Sequence, residues 1–175
     1  MKSLVDHLSQ YAAYHRDPRN IASHFVGIPL IVVAVAVLLS RPEWAVGSLW
    51  ISPAVLLALF SAWFYLRLEI ALGVLMTVLM GLSVWAGHVL AAQSTLVWLS
   101  SGLGLFVVGW VIQFVGHYYE GRKPAFVDDV SGLIVGPLFV VAELAFLAGM
   151  RQDLKQQIEA RSGPVERRDL KPSKV

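Results

Sequence analysis

The residues most able to do chemistry in this 175-residue chain are five histidines, His7, His15, His24, His88 and His117. There is no cysteine, which removes disulfides, iron–sulfur clusters, thiolate zinc sites and cysteine nucleophiles. Neutral imidazole is the commonest side-chain metal ligand. Three imidazoles with open positions suit a catalytic metal, and imidazole by itself does not separate zinc from iron. Gln113, His117 and Glu120 follow i, i+4, i+7, a polar stripe on an otherwise apolar helix. His7, Tyr11 and His15 follow i, i+4, i+8 and would line one face of an N-terminal helix, roughly Leu4–His15, of interfacial amphipathic type.

The elements that must position these rings are set by where charge is missing. The chain is 57% hydrophobic and 15% charged, far from a soluble domain. Of its 14 Lys and Arg and 12 Asp and Glu, only Glu143 falls inside five stretches, Asn20–Ser40, Trp44–Leu66, Ile70–Ala92, Ser94–Tyr119 and Val130–Met150. A bilayer core of about 30 Å needs roughly 20 helical residues, and each stretch is that long. Backbone amides in lipid must bond within their own segment, so helices are expected; a membrane barrel would show alternating segments of about ten residues, which are not seen. The fold class is therefore an all-α polytopic membrane bundle. Residues 1–150 are expected to form an integral-membrane domain that holds any catalytic site, and 151–175 a polar, basic tail, disordered from Ser162 and Pro164 onward. Gly136-Pro137 offers a break in the fifth stretch, and the 13 residues that follow, Leu138–Met150, make only about 20 Å of helix. Four spans plus a re-entrant or crossing fifth segment are expected.

If the fifth segment returns to its own side, thirteen basic residues lie with the N-terminus and only Arg41 lies opposite. Positive charge then places the histidine side and the N-terminus in the cytoplasm, across a bacterial inner membrane. Short connections make successive helices antiparallel. The start of the first span and the end of the fourth then share a side, so His15, His24 and His117 meet at similar depth, and His88 faces the other way. Asp17-Pro18 breaks the chain between His15 and His24 and lets the first helix fold back; Asn20 reads as the cap of the first span. Asn20, Gln113 and Glu120 could orient the imidazoles or meet a substrate.

Plainer readings stand beside these. A histidine at a helix end can snorkel or cap. His7 and His88 suit solvated or structural places, and Glu143 a bonded carboxyl within the bundle or an outer partner of the site. The glycines Gly73, Gly81, Gly87, Gly102, Gly104 and Gly109 suit close helix packing. The tail lacks interleaved aromatics, so nucleic-acid binding has no support. No GxSxG, Walker or GxGxxG motif is present.

Two blocks carry a resemblance. YAAYHRDPRNIASHFVGIP, residues 11–29, and WVIQFVGHYYEGRKPAFVDDVSGLIVGPLFVVAE, residues 110–143, resemble the membrane 2-hydroxy fatty acid dioxygenase family, first recognised in phytosphingosine breakdown. The matching residues are Tyr14-His15, Asn20 and His24, then Gln113-Phe114, Gly116-His117, Glu120 and Pro124-Ala125. The resemblance implies an Fe(II)-dependent dioxygenase that takes a 2-hydroxy fatty acid and O2 in the bilayer and yields CO2 and the acid one carbon shorter, a fatty acid α-oxidation. A 2-hydroxy carboxylate can chelate a metal through two oxygens, its alkyl chain lying between helices. Arg122 and Lys123 could attract the carboxylate, or simply be a solvated pair. Two readings of other classes remain open: a haem-binding membrane electron-transfer subunit with His24 and His117 as axial ligands, and a non-catalytic membrane scaffold. Transport is disfavoured by the lack of repeated halves.

Overall fold

The computed structural model describes residues 2–46 and 49–168. Among them are seven α-helices and one short antiparallel hairpin. The helices are α1 (Leu4–Ala12), α2 (Pro18–Ser40), α3 (Pro53–Leu68), α4 (Ile70–Ala91), α5 (Thr95–Glu120), α6 (Gly132–Leu147) and α7 (Gln152–Ser162). β1 (Trp44–Val46) pairs with β2 (Leu49–Ile51), Trp44 opposite Ile51. The chain divides into two compact units, residues 1–27 with 111–175, and residues 28–110.

In the unit of residues 28–110, α3 and α4 are joined by Glu69 alone, whose carboxylate caps α4 by accepting from the Ala71 and Leu72 amides. A Cβ at Gly73 would lie 2.7 Å from the Leu66 backbone, one at Gly87 2.7 Å from that of Ala36, and one at Gly102 2.5 Å from the Leu38 side chain. These glycines allow the close approach expected of them, whereas Gly81 and Gly104 face open space. Leu59, Trp63, Val78, Leu82, Trp85 and Leu96 are more than half exposed, an outward apolar surface that suits lipid.

Among the described residues, α2, α4 and α5 are long and apolar enough to cross a bilayer. The second apolar stretch, expected as one span over Trp44–Leu66, is instead the hairpin followed by the 16-residue α3. The reason is Ser52-Pro53. Proline suits the first helical position, where its missing N–H costs nothing, and the Ser52 hydroxyl accepts the Val55 amide as cap, so a new helix starts here.

The fifth stretch also breaks at a different place. Pro137 lies inside a continuous α6, a tolerance known for membrane helices. The chain turns twelve residues later. Gly149 adopts φ +78, its amide reaches the Phe146 carbonyl and the Met150 amide that of Ala145, the paired bonds of a glycine-terminated helix end. α6 and α7 then meet at a bend of 118°.

In the unit of residues 1–27 and 111–175, α1 packs on α6 and α7, with Leu8, Leu138, Phe139 and Ile158 almost fully buried. The Ser3 hydroxyl and the Asp6 carboxylate cap α1 reciprocally. α2 begins at Pro18, and Asp17 caps it by accepting the Arg19 amide at 2.9 Å. Asn20, expected as that cap, is displaced inward by Pro18 at the helix's first position. The tail is helical through Ser162. Beyond that, where disorder was expected, residues 163–168 hydrogen-bond to residues 16–19 and 120. Residues 169–175 lie outside the described residues.

Candidate metal centre

His15 follows α1, His24 lies in the second turn of α2, and His117 lies one turn before the end of α5. All three are buried. Their ring centroids are 4.4 Å apart for His15 and His24, 4.9 Å for His15 and His117, and 5.2 Å for His24 and His117. One nitrogen from each lies within 4.8 Å of the others, and this is the metal-competent group among the described residues.

Two of the rings have a defined proton. His15 Nδ1 is 2.7 Å from the Tyr11 carbonyl oxygen, and His24 Nδ1 is 2.8 Å from that of Asn20. A carbonyl cannot donate, so each Nδ1 carries the hydrogen and each Nε2 keeps its lone pair. His15 Nε2 has no hydrogen-bond partner among the described residues, nor has His117 Nδ1. Orphaned imidazole nitrogens in a buried, sulfur-free cluster are what a cation with bonds of about 2.0–2.1 Å would satisfy after small ring movements. Burial, reinforced by the His24 and His117 rings, pushes the His15 pKa well down, so the ring stays neutral. Tyr11 stacks on His15 at 4.1 Å with the two rings nearly parallel, and holds the ring from behind.

Glu120 organises the support. Its Oε2 accepts from the Arg16 amide at 2.9 Å, the Asp17 amide at 2.8 Å and Asn20 Nδ2 at 3.1 Å. One carboxylate oxygen on α5 therefore fixes the turn that follows His15 and the residue whose carbonyl orients His24. Glu120 ends its helix because Gly121 adopts φ +66 and returns its amide to His117. Gly116 gives the same region its closeness: a Cβ there would overlap Ser23 Oγ and lie 2.6 Å from Asn20 Oδ1. Asp17 is buried and held below the usual carboxylate range, first by Arg19.

The other sequence candidates are placed as follows. Gln113 is buried on α5 one turn before His117, and neither its amide oxygen nor its nitrogen has a hydrogen-bond partner among the described residues. Tyr14 donates its hydroxyl to Asp128, Lys123 pairs with Asp128, and Arg122 donates to the Ala13 carbonyl. Glu143 is buried and lies 3.4 Å from Arg16. His7 lines a small cavity with Gln10, Tyr11, Tyr14, Asp129 and Ser131. His88 belongs to the other unit, where it stacks on Trp50 and bonds Glu43 at 2.9 Å.

Three participants escaped the sequence reading. Arg16 is buried and donates to the Ala12 and His15 carbonyls, both at 2.9 Å. In the sequence Asp17 signals a helix break, and Arg168 only tail charge. Asp before Pro was a usable capping signal; nothing in the sequence marks Arg168.

The family described as 2-hydroxy-palmitic acid dioxygenase Mpo1-like matches residues 1–147. The 2-hydroxy-palmitic acid dioxygenase MPO1 of Saccharomyces cerevisiae is 35% identical over 164 residues, covering 90% of each chain. No solved structure matches.

Proposed function

The chain belongs to the 2-hydroxy-palmitic acid dioxygenase Mpo1-like family, and from that premise we propose that it is a membrane dioxygenase of 2-hydroxy fatty acids. The observation that carries the reading is the buried His15, His24 and His117 triad, with two Nε2 lone pairs freed by Nδ1–carbonyl bonds. The metal it would hold is Fe(II), which when bound supplies the redox chemistry that O2 requires. The net reaction balances as one 2-hydroxy acid and one O2 giving CO2, water and the acid one carbon shorter. The C1–C2 bond breaks and O2 takes up four electrons.

The protein's own residues then have separate tasks. The Tyr11 and Asn20 carbonyls fix the tautomers of His15 and His24, a service that ligand-orienting groups commonly provide. Glu120 holds the His15–Asn20 turn against α5. Gln113 is the substrate group. A buried amide with neither atom paired is costly, and a 2-hydroxy carboxylate offers an acceptor for its N–H and a hydroxyl donor for its oxygen. Tyr14, Arg122 and Lys123 have protein partners and shape the connection between α5 and α6. The acyl chain would remain in the membrane, and O2, being apolar, partitions there as well. The 118° bend between α6 and α7 supports a returning fifth segment, and with it a cytoplasmic histidine side in a bacterial inner membrane.

Anaerobic purification with iron quantification, followed by mass spectrometry of products from 2-hydroxypalmitate, tests this. About one non-haem iron per chain and stoichiometric odd-chain acid are expected. Protein free of iron and inert towards the substrate would leave the scaffold reading. The haem alternative meets a steric objection: the His15 ring, 4.4 and 4.9 Å from its two neighbours, stands where a macrocycle would have to lie. A Soret band would reverse that judgement.

A further inference from the structure

Residues 163–168 have no helix or strand and lie outside the residues matched by the family, 1–147. Their polar contacts nevertheless converge on two places. Arg16 Nη1 donates to the Gly163 carbonyl at 3.2 Å, and the Glu166 amide donates to the Arg16 carbonyl at 3.0 Å. The Arg168 amide donates to Asp17 Oδ2 at 2.8 Å, and Arg19 Nη2 donates to the Arg168 carbonyl at 2.7 Å. The Arg168 guanidinium then reaches α5, with Nη2 paired by charge at 2.9 Å from Glu120 Oε1, outside hydrogen-bond geometry, and Nη1 donating to the Glu120 carbonyl at 3.3 Å. Every one of these partners lies in residues 16–19 or is Glu120.

Those are the groups that carry the ligands. Glu120 is almost fully buried and spends its other oxygen on the Arg16 and Asp17 amides and on Asn20. Removing the guanidinium would leave that buried carboxylate without its ion-pair partner, the costly half of breaking a buried pair. The carboxylate would then turn towards water and release the turn between His15 and His24. The strap's upstream end is anchored independently, since α7 packs on α1 and Arg161 pairs with Asp6.

We propose that Gly163–Arg168 is a positioning strap which, through Arg168, locks Glu120 and the Asp17–Pro18 turn and so holds His15, His24 and His117 in metal-binding geometry. The inference rests on the metal-centre reading above and extends that centre to a segment beyond the family's match. Arg168 is a positioning residue; it touches neither the ligand nitrogens nor substrate.

The test uses the full chain in detergent, loaded anaerobically with Co(II), whose visible bands report ligand geometry. Arg168→Gln, Arg168→Lys and a deletion of residues 163–175 are compared with wild type. Groups that orient metal ligands typically change affinity 10–100-fold, so Arg168→Gln and the deletion should release Co(II) to EDTA roughly tenfold faster with altered bands. Arg168→Lys keeps the charge without the two-pronged reach and should fall between. The thermal midpoint of the metal-free protein should move far less than the release rate. Co(II) release at the wild-type rate in both variants would overturn the strap while leaving the metal centre standing, as would a loss that only mirrors weakened folding of the metal-free chain. Wild-type protein that binds no Co(II) would overturn the centre and the strap together.

Discussion

The His15 and His24 rings stand edge to face with centroids 4.4 Å apart, although nine residues and a helix break separate them. On one unbroken helix that spacing would turn the rings to opposite faces. The Asp17–Pro18 turn reverses this, and Glu120 holds the turn closed from α5. The ligand set is thus a property of the turn as much as of the histidines.

Loss of either spanning ligand should therefore empty the site. His24→Ala and His117→Ala should each retain the helical circular dichroism of the parent, bind less than a tenth of the wild-type iron and show no turnover of 2-hydroxypalmitate. Activity surviving in both variants would remove the site assignment.

Glu120→Gln removes the charge that Arg168 pairs and, with the amide oxygen kept for the Arg16 and Asp17 N–H groups, sets a donor NH2 against the Arg168 guanidinium. Iron affinity should drop by about 10–100-fold, as for other groups that orient metal ligands. Chelator competition reads it directly, and unchanged affinity would mean that the carboxylate serves folding alone.

For Gln113→Leu the expectation has two halves of opposite sign. The variant should bind iron normally and unfold no more easily than wild type, because an unpaired buried amide has been replaced by an apolar group. Its KM for 2-hydroxypalmitate should rise about tenfold, the equivalent of one lost hydrogen bond to a charged group, and palmitate should become as good a competitor as the 2-hydroxy acid. An unaltered KM would assign the amide to packing.

Gly116→Ala places a methyl against Ser23 and Asn20, and Asn20 is already held by Glu120 and the Tyr14 carbonyl. Overpacking of this kind costs about 1–3 kcal/mol. Both the unfolding midpoint and metal retention should fall, and Ser23→Gly in the same chain should restore part of each. A neutral Gly116→Ala would show that the two helices can separate without penalty.

The pairing of α1 with α7 should carry a pH signature. The Ser3 amide and hydroxyl, then Arg161, hold the Asp6 carboxyl below the usual carboxylate range. A depressed pKa adds stability above the unfolded value, near 3.9, and that stability is lost as pH falls through the folded one. Asp6→Asn should therefore lower the unfolding midpoint by a constant amount between pH 7 and 5, with the difference from wild type shrinking below about pH 4. A difference independent of pH would show that the Asp6 charge contributes nothing to it.

The membrane bundle and the meeting of His15, His24 and His117 were legible because both follow from chain-local facts. Charge is absent over bilayer-length stretches, and antiparallel order puts the start of α2 and the end of α5 together. The second stretch was drawn too long because its hydropathy hid Ser52-Pro53, where the helix α3 begins. The fifth was broken at Pro137 rather than at Gly149, because a proline already inside a helix is tolerated more easily than the sequence suggests.

What the amino-acid order determined by itself was therefore the solvent, the ring types and the side on which they gather. Only the folded chain decided which oxygen faces which donor: that Glu120 spans the Arg16 and Asp17 amides, that Asn20 points inward instead of capping, and that Arg168 returns from some fifty residues away to complete the cluster. Such pairings are set by the three-dimensional approach of groups distant along the chain. Neither hydropathy nor helical periodicity encodes them, because a carboxylate at a helix end looks the same in sequence whether it meets water or a guanidinium.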